Sequence, residues 1–157
     1  MKDLGASILS TYRRLKRWPG GEAAFAFVVG RLVPYTGSIG SRVKVLEPGR
    51  CVVELRDRRK VRNHLKSVHA VALTNLGEFA SGLAFLTTFP PGLRSIVTEL
   101  RTEYRKKARG TLTAAAVAEP PAGDRDEERW VEAAIRDESD DVVAIVRALW
   151  KVGPRPE

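Results

Sequence analysis

The stretch Val68-His-Ala-Val-Ala-Leu-Thr-Asn-Leu-Gly-Glu-Phe-Ala-Ser-Gly-Leu-Ala-Phe-Leu86 decides the fold. Its apolar residues run all the way round a helical projection, and a helix without a polar face belongs inside a domain. One charge interrupts it. Between His69 and Arg94 the only charged side chain is Glu78, set among Leu76, Phe79, Ala80 and Leu83, with no Lys or Arg one turn away. Burial would raise the pKa of such a carboxyl towards the range of a general base, unless a donor from elsewhere holds it ionised. The competing reading is a solvated glutamate, buried only in one dimension.

On the N-terminal side, Leu4, Ile8, Tyr12 and Leu15 recur at helical spacing up to Trp18, and Arg13, Arg14, Lys16 and Arg17 crowd the end, where cations complement the helix dipole. This helix either lies across its own domain or reaches for a lipid surface. Pro19-Gly20-Gly21 breaks it. Phe25, Val28, Val29 and Leu32 then mark a second helix from Glu22, which Pro34 stops. From Arg42 the period changes to two: Val43 and Val45, a turn at Glu47-Pro48-Gly49, then Cys51, Val53 and Leu55 predict a hairpin. The charged run from Asp57 to Arg62 reads as a solvated connection leading to Asn63.

On the C-terminal side, Pro90-Pro91-Gly92 forces a break, and four strands are expected: Ser95 to Arg105, Thr111 to Ala118, Trp130 to Arg136 and Val142 to Lys151. A polar loop from Pro120 to Glu128 and a turn from Asp137 to Asp141 separate the later ones. This order predicts an α+β fold, in which a six-stranded antiparallel sheet wraps the one long central helix. The expected division is an N-terminal helical segment, 1–38, the sheet-and-helix domain, 39–152, and a tail, 153–157, that frays.

The chain has 157 residues, enough for one domain with its own core. A single cysteine, Cys51, excludes a disulfide framework and a thiolate cluster, and two histidines, His64 and His69, leave little for a metal site, so no metal or cofactor is expected. The central stretch is long enough to span a membrane, but Glu78 and two glycines argue against it. The opening Met1-Lys-Asp-Leu-Gly5 precedes no apolar run with a cleavage site, and a cytoplasmic location is expected. The formal net charge of +8 raises anionic partners. Nucleic acid is disfavoured because the aromatics do not interleave with the cations as a base-stacking platform requires.

Asn63, His69 and Glu78 at their spacing, within this element order, resemble the hotdog-fold thioesterases of the phenylacetyl-CoA thioesterase-like type. In that family an Asn opens the loop before the central helix, a His followed by two glycines starts the helix, and an acidic residue sits two turns in. A second anchor, Glu103-Tyr-Arg-Lys-Lys-Ala-Arg-Gly-Thr111, is similar to the family's strand, basic bend and Gly opening the next strand. The resemblance spans Ile39 to Val152.

It implies hydrolysis of an acyl-CoA or acyl-ACP thioester, with Glu78 as nucleophile or general base and the amides around Ala70 holding the oxyanion. Asn63 would orient the water or the carbonyl, and His69 would act as a cap rather than a base. Arg105, Lys106, Lys107 and Arg109 would clamp the coenzyme A phosphates, which reward Arg and Lys. The same cations also suit a soluble strand edge. The family's sites lie between subunits of a homodimer or homotetramer, Asn63 and Glu78 coming from different chains. The small residues Ala70, Ala72, Gly77, Ala80, Ser81, Gly82 and Ala84 either permit that approach or pack against the sheet. Ala70 and Val71 stand where the family has glycines, and Lys66 replaces a third. Val71 therefore narrows the substrate approach, and the alternative function is acyl binding without catalysis.

Overall fold

The computed structural model describes residues 4–123 and 125–154. Three helices lead into the sheet: α1 (Leu4–Lys16), α2 (Gly21–Leu32) and α3 (Pro34–Ser38). The hairpin β1 (Arg42–Glu47) and β2 (Arg50–Leu55) follows, then the central helix α4 (Ala70–Leu86), and then β3 (Leu93–Tyr104), β4 (Leu112–Val117), β5 (Glu127–Arg136) and β6 (Val142–Pro154). The six strands form one antiparallel sheet in the order β1-β2-β4-β5-β6-β3, with β1 and β3 at its edges. Helix α4 packs against all six strands, which is the hotdog arrangement.

The reason α4 can lie so close is its small residues. A Cβ on Gly77 would collide with Val146 of β6, and one on Gly82 would press on the Trp150 ring. Ala80, Ser81 and Ala84 are fully buried. The sheet answers in kind, since β4 turns Ala114 and Ala116 inward and Thr113, Ala115 and Val117 outward. Leu76, Phe85, Leu55, Leu112 and Ile135 fill the remaining interior. Cys51 is buried there too, and burial pushes its thiol up to about 12, so it is inert in the folded protein.

Several elements differ from their expected form. Pro34 ends α2 but also starts α3, occupying the first turn of that five-residue helix, where its fixed φ is an asset and its missing N–H is not needed. The charged connection is ordered: Arg59–Val61 form a 3-10 turn, Arg62 Nε donates to Asp57 at 2.6 Å, and Arg58 donates to the carbonyl of Ile39 at 2.7 Å. Strand β5 starts at Glu127, earlier than Trp130, because it pairs with β6 as far as Val152. Strand β6 reaches Pro154, opposite Leu93, so Gly153 and Pro154 are paired strand; 155–157 lie outside the described residues.

The N-terminal helices lie across the domain. Tyr12 and Phe25 are buried and meet edge to face at 5.2 Å between ring centres. Tyr12 donates to the Lys44 carbonyl at 2.7 Å, and Lys44 pairs with Glu22 at 2.6 Å, which ties α1 and α2 to β1. No helix among the described residues is long and apolar enough to cross a membrane.

Candidate functional site

Glu78 occupies the third turn of α4, and it lies in the wall of a cavity of about 550 Å3 between α4 and the N-terminal helices. Leu4 and Ile8 of α1, Val28 and Leu32 of α2, Leu83 of α4 and Trp150 of β6 are among the apolar side chains around it. Among the described residues no donor pairs with the Glu78 carboxyl, and burial raises its pKa above the ordinary glutamate value. That is the setting in which a carboxylate becomes a stronger base. The indole N–H of Trp150 is also buried without an acceptor among the described residues.

The other residues singled out in the sequence gather at the start of α4. Asn63 Oδ1 accepts from the amides of Leu65 at 2.9 Å and Ser67 at 3.2 Å, and from the Ser67 hydroxyl at 3.2 Å. The oxygen thus holds its own loop, and the amide group has no acceptor among the described residues. Lys66, in that loop, adopts φ 55°, a left-handed conformation unfavourable for a residue with a Cβ. His69 is the N-cap: its Nδ1 accepts the Val71 N–H at 3.1 Å. The Ala70 N–H has no acceptor among the described residues, and it lies in the first turn of α4, where the helix field favours negative charge.

Ala70, Thr74 and Glu78 recur every four residues and share one stripe of α4. That stripe faces the edge strand. The Thr74 hydroxyl lies 2.9 Å from that of Thr102 and 3.0 Å from that of Tyr104, and Tyr104 also donates to the Ala70 carbonyl at 3.1 Å. This hydroxyl cluster carried no signal in the sequence beyond the strand alternation that placed Tyr104 on β3.

The basic bend adjoins the same end, since Val68 donates to the Ala108 carbonyl at 2.8 Å. Its cations are unequal. Arg105 pairs with Glu103 at 2.7 Å, and Lys106 bridges Asp137 and Asp141. Arg109 acts electrostatically on Asp57, whereas Lys107 has no ion-pair partner among the described residues. Beside the helix start, a cavity of about 200 Å3 is bounded by Tyr35, Lys60, Arg62, His69, Val71 and Asn75. Among the described residues no cluster of three or more His, Cys, Asp or Glu could hold a metal ion.

A family model, Domain of unknown function (DUF4442), matches residues 21–152. The chain belongs to the DUF4442 family. The match begins where α2 begins, so the family's domain includes that helix. No curated protein matches the sequence. Among solved structures, this DUF4442 chain is similar to the genomics structure APC5556, with 26% identity, a TM-score of 0.81, and coverage of 94% of this chain and 99% of that one. It is similar to PA5026 from Pseudomonas aeruginosa, a protein of unknown function described as a probable thioesterase, with 27% identity, a TM-score of 0.75, and coverage of 85% and 96%. It also shares its fold with the phenylacetic acid degradation protein PaaI from Thermus thermophilus, with 22% identity, a TM-score of 0.64, and coverage of 75% and 97%. This DUF4442 member thus shares its fold with all three structures, of which PA5026 is described as a probable thioesterase.

Ala70 and Glu78 are eight residues apart, which is about 12 Å along the helix axis at ~1.5 Å per residue. Reacting groups must come within about 3–3.5 Å of one centre. Within one protomer the Ala70 amide and Glu78 are therefore too far apart along the helix to meet at one reacting centre.

Proposed function

We propose that this protein is a homodimeric thioesterase acting on acyl thioesters of coenzyme A or acyl carrier protein, with Glu78 as its base or nucleophile. The observation that carries the reading is the carboxyl of Glu78, desolvated in a largely apolar wall, with no hydrogen bond or ion pair to it among the described residues.

The second copy supplies what one chain lacks. Strand β3 is a twelve-residue edge, and Ile96, Leu100 and Tyr104 on it are exposed. A long uncovered edge with apolar side chains is a template for pairing. Two such edges joined antiparallel bring the Ala70–Thr74–Glu78 stripes side by side. A two-fold axis near Thr74 then sets Ala70 of one copy opposite Glu78 of the other, because an isologous contact pairs positions equally spaced about the axis.

At that junction the Ala70 N–H receives the carbonyl oxygen as it gains charge, and the Asn63 amide donates to the carbonyl or to water. Glu78 takes a proton from water as the water oxygen bonds to the carbonyl carbon; collapse of the tetrahedral intermediate expels the thiolate, which takes up a proton. In the nucleophile route the carboxylate oxygen attacks instead, and water hydrolyses the resulting anhydride. His69 fixes the first turn by holding Val71. Lys107 and Arg109 are the cations of the bend best placed to meet phosphate, since Arg105 and Lys106 already serve carboxylates.

The test is hydrolysis of an acyl-CoA panel by wild type and Glu78→Ala. Loss of turnover in the variant supports the assignment; equal rates contradict it, as does inactivity of the wild type. A second reading, acyl binding without turnover, draws on Val71, whose half-exposed side chain stands where the phenylacetyl-CoA thioesterase-like type that the sequence resembles has a glycine. It predicts saturable binding with no product.

A further inference from the structure

The N-terminal helices do more than cover one end of the core. Helix α1 docks on α4 by backbone contact: a Cβ on Gly5 would collide with the Leu86 carbonyl. The same helix is held at its other end by the Tyr12 hydroxyl on the Lys44 carbonyl, and α2 by the Glu22–Lys44 pair. Between these anchors the helices stand away from α4 and leave the cavity of about 550 Å3. That volume lies within the ~300–1,000 Å3 typical of small-molecule sites, which are apolar and largely preformed.

The cavity is elongated along α4. Its wall runs from Glu78 to Leu86, about 12 Å of helix at ~1.5 Å per residue, more than a single aromatic ring would occupy. The far end is aliphatic, with Leu4, Ile8, Leu86 and Leu93, and the acid stands at the near end. We infer that this cavity is the chamber for the tail of a saturated, unbranched acyl group of medium to long chain, and that α1 and α2 set the length it accepts. The inference rests on the thioester reading of Glu78, since it places the reacting carbonyl at the near end. Besides Glu78, Arg94 and the Trp150 indole, the chamber offers only the hydroxyls of Ser7, Thr11, Thr36 and Ser95 among mostly apolar side chains, so a polar ligand would leave most of its groups without a replacement for water.

The experiment measures kcat/KM for straight-chain CoA thioesters from acetyl-CoA to myristoyl-CoA, with wild type and with Val28→Trp, which fills the chamber from α2. In the wild type kcat/KM rises about three- to four-fold per added methylene until the chamber is full. Val28→Trp lowers the ratio of lauroyl-CoA to butyryl-CoA turnover by on the order of ten-fold or more. Ile8→Phe, a milder filling from α1, shifts the ratio the same way and replaces Val28→Trp should that variant not fold. A flat chain-length profile with active hydrolysis overturns the chamber and leaves the thioesterase reading standing. If no CoA thioester is turned over, calorimetry with the free octanoic, decanoic and lauric acids decides. Affinity that climbs with length and falls in the filled variants upholds the chamber without the hydrolase; affinity independent of length overturns it.

Discussion

Tyr104, on the edge strand, donates its hydroxyl to the carbonyl of Ala70, the first residue of the central helix, at 3.1 Å. One bond thus ties the strand that would meet a second copy to the helix end that would meet the substrate. Tyr104→Phe removes it while keeping the ring. Because the group is half exposed, the expected cost is about 0.5–1 kcal/mol. Urea unfolding of this variant should show a lower midpoint with an unchanged slope.

Glu78 bears on stability as well as chemistry. Its folded pKa is raised by burial, so the folded state holds the proton more tightly than the unfolded chain does. The protonated carboxyl is therefore tolerated below the ordinary glutamate pKa, and stability is lost as pH climbs through the raised value. Glu78→Gln, which cannot ionise, should be more stable than wild type at neutral pH, and the difference should vanish below about pH 4. Thermal unfolding of both proteins across that range checks the sign; a variant less stable at neutral pH would mean that the carboxylate has a partner.

The part of the fold that repeats locally was open to reading. An all-apolar stretch from Ala70 to Leu86 has nowhere to go but inside, and Val43, Cys51 and Val53 announce strands by alternation. Glu78 stood out for the same reason, since a charge is conspicuous only against an apolar background. What could not be read depends on distant residues meeting. The chamber exists because Gly5 reaches Leu86 and Tyr12 reaches Lys44, contacts that no periodicity encodes. Lys106 looked free in its basic run, yet Asp137 and Asp141 neutralise it from the β5–β6 turn. Helix α3 was hidden because Pro34 signals an end as readily as a start.

Lys66 offers a stability test independent of function. At φ 55° it forces a Cβ into the left-handed region, which costs about 1–2 kcal/mol. Lys66→Gly relieves that strain and gives back part of the gain through the freer unfolded chain, leaving roughly 0.5–1 kcal/mol. For a domain of this size that is an increase in Tm of roughly 1–4 °C, measurable by calorimetry.

The central claim is that Ala70 of one copy and Glu78 of another serve the same carbonyl. Ala70→Pro deletes the amide proton at the first helical position, where proline is tolerated, and His69 before it already has the extended backbone that proline requires. Alone, Ala70→Pro should lose on the order of 100-fold or more in kcat, as should Glu78→Gln. Coexpressed in equal amounts, the two inactive variants form mixed dimers in which one of the two sites is whole, and hydrolysis of an acyl-CoA should return to about a quarter of the wild-type rate. A mixture no more active than either variant alone would show that the two groups do not meet across the subunits.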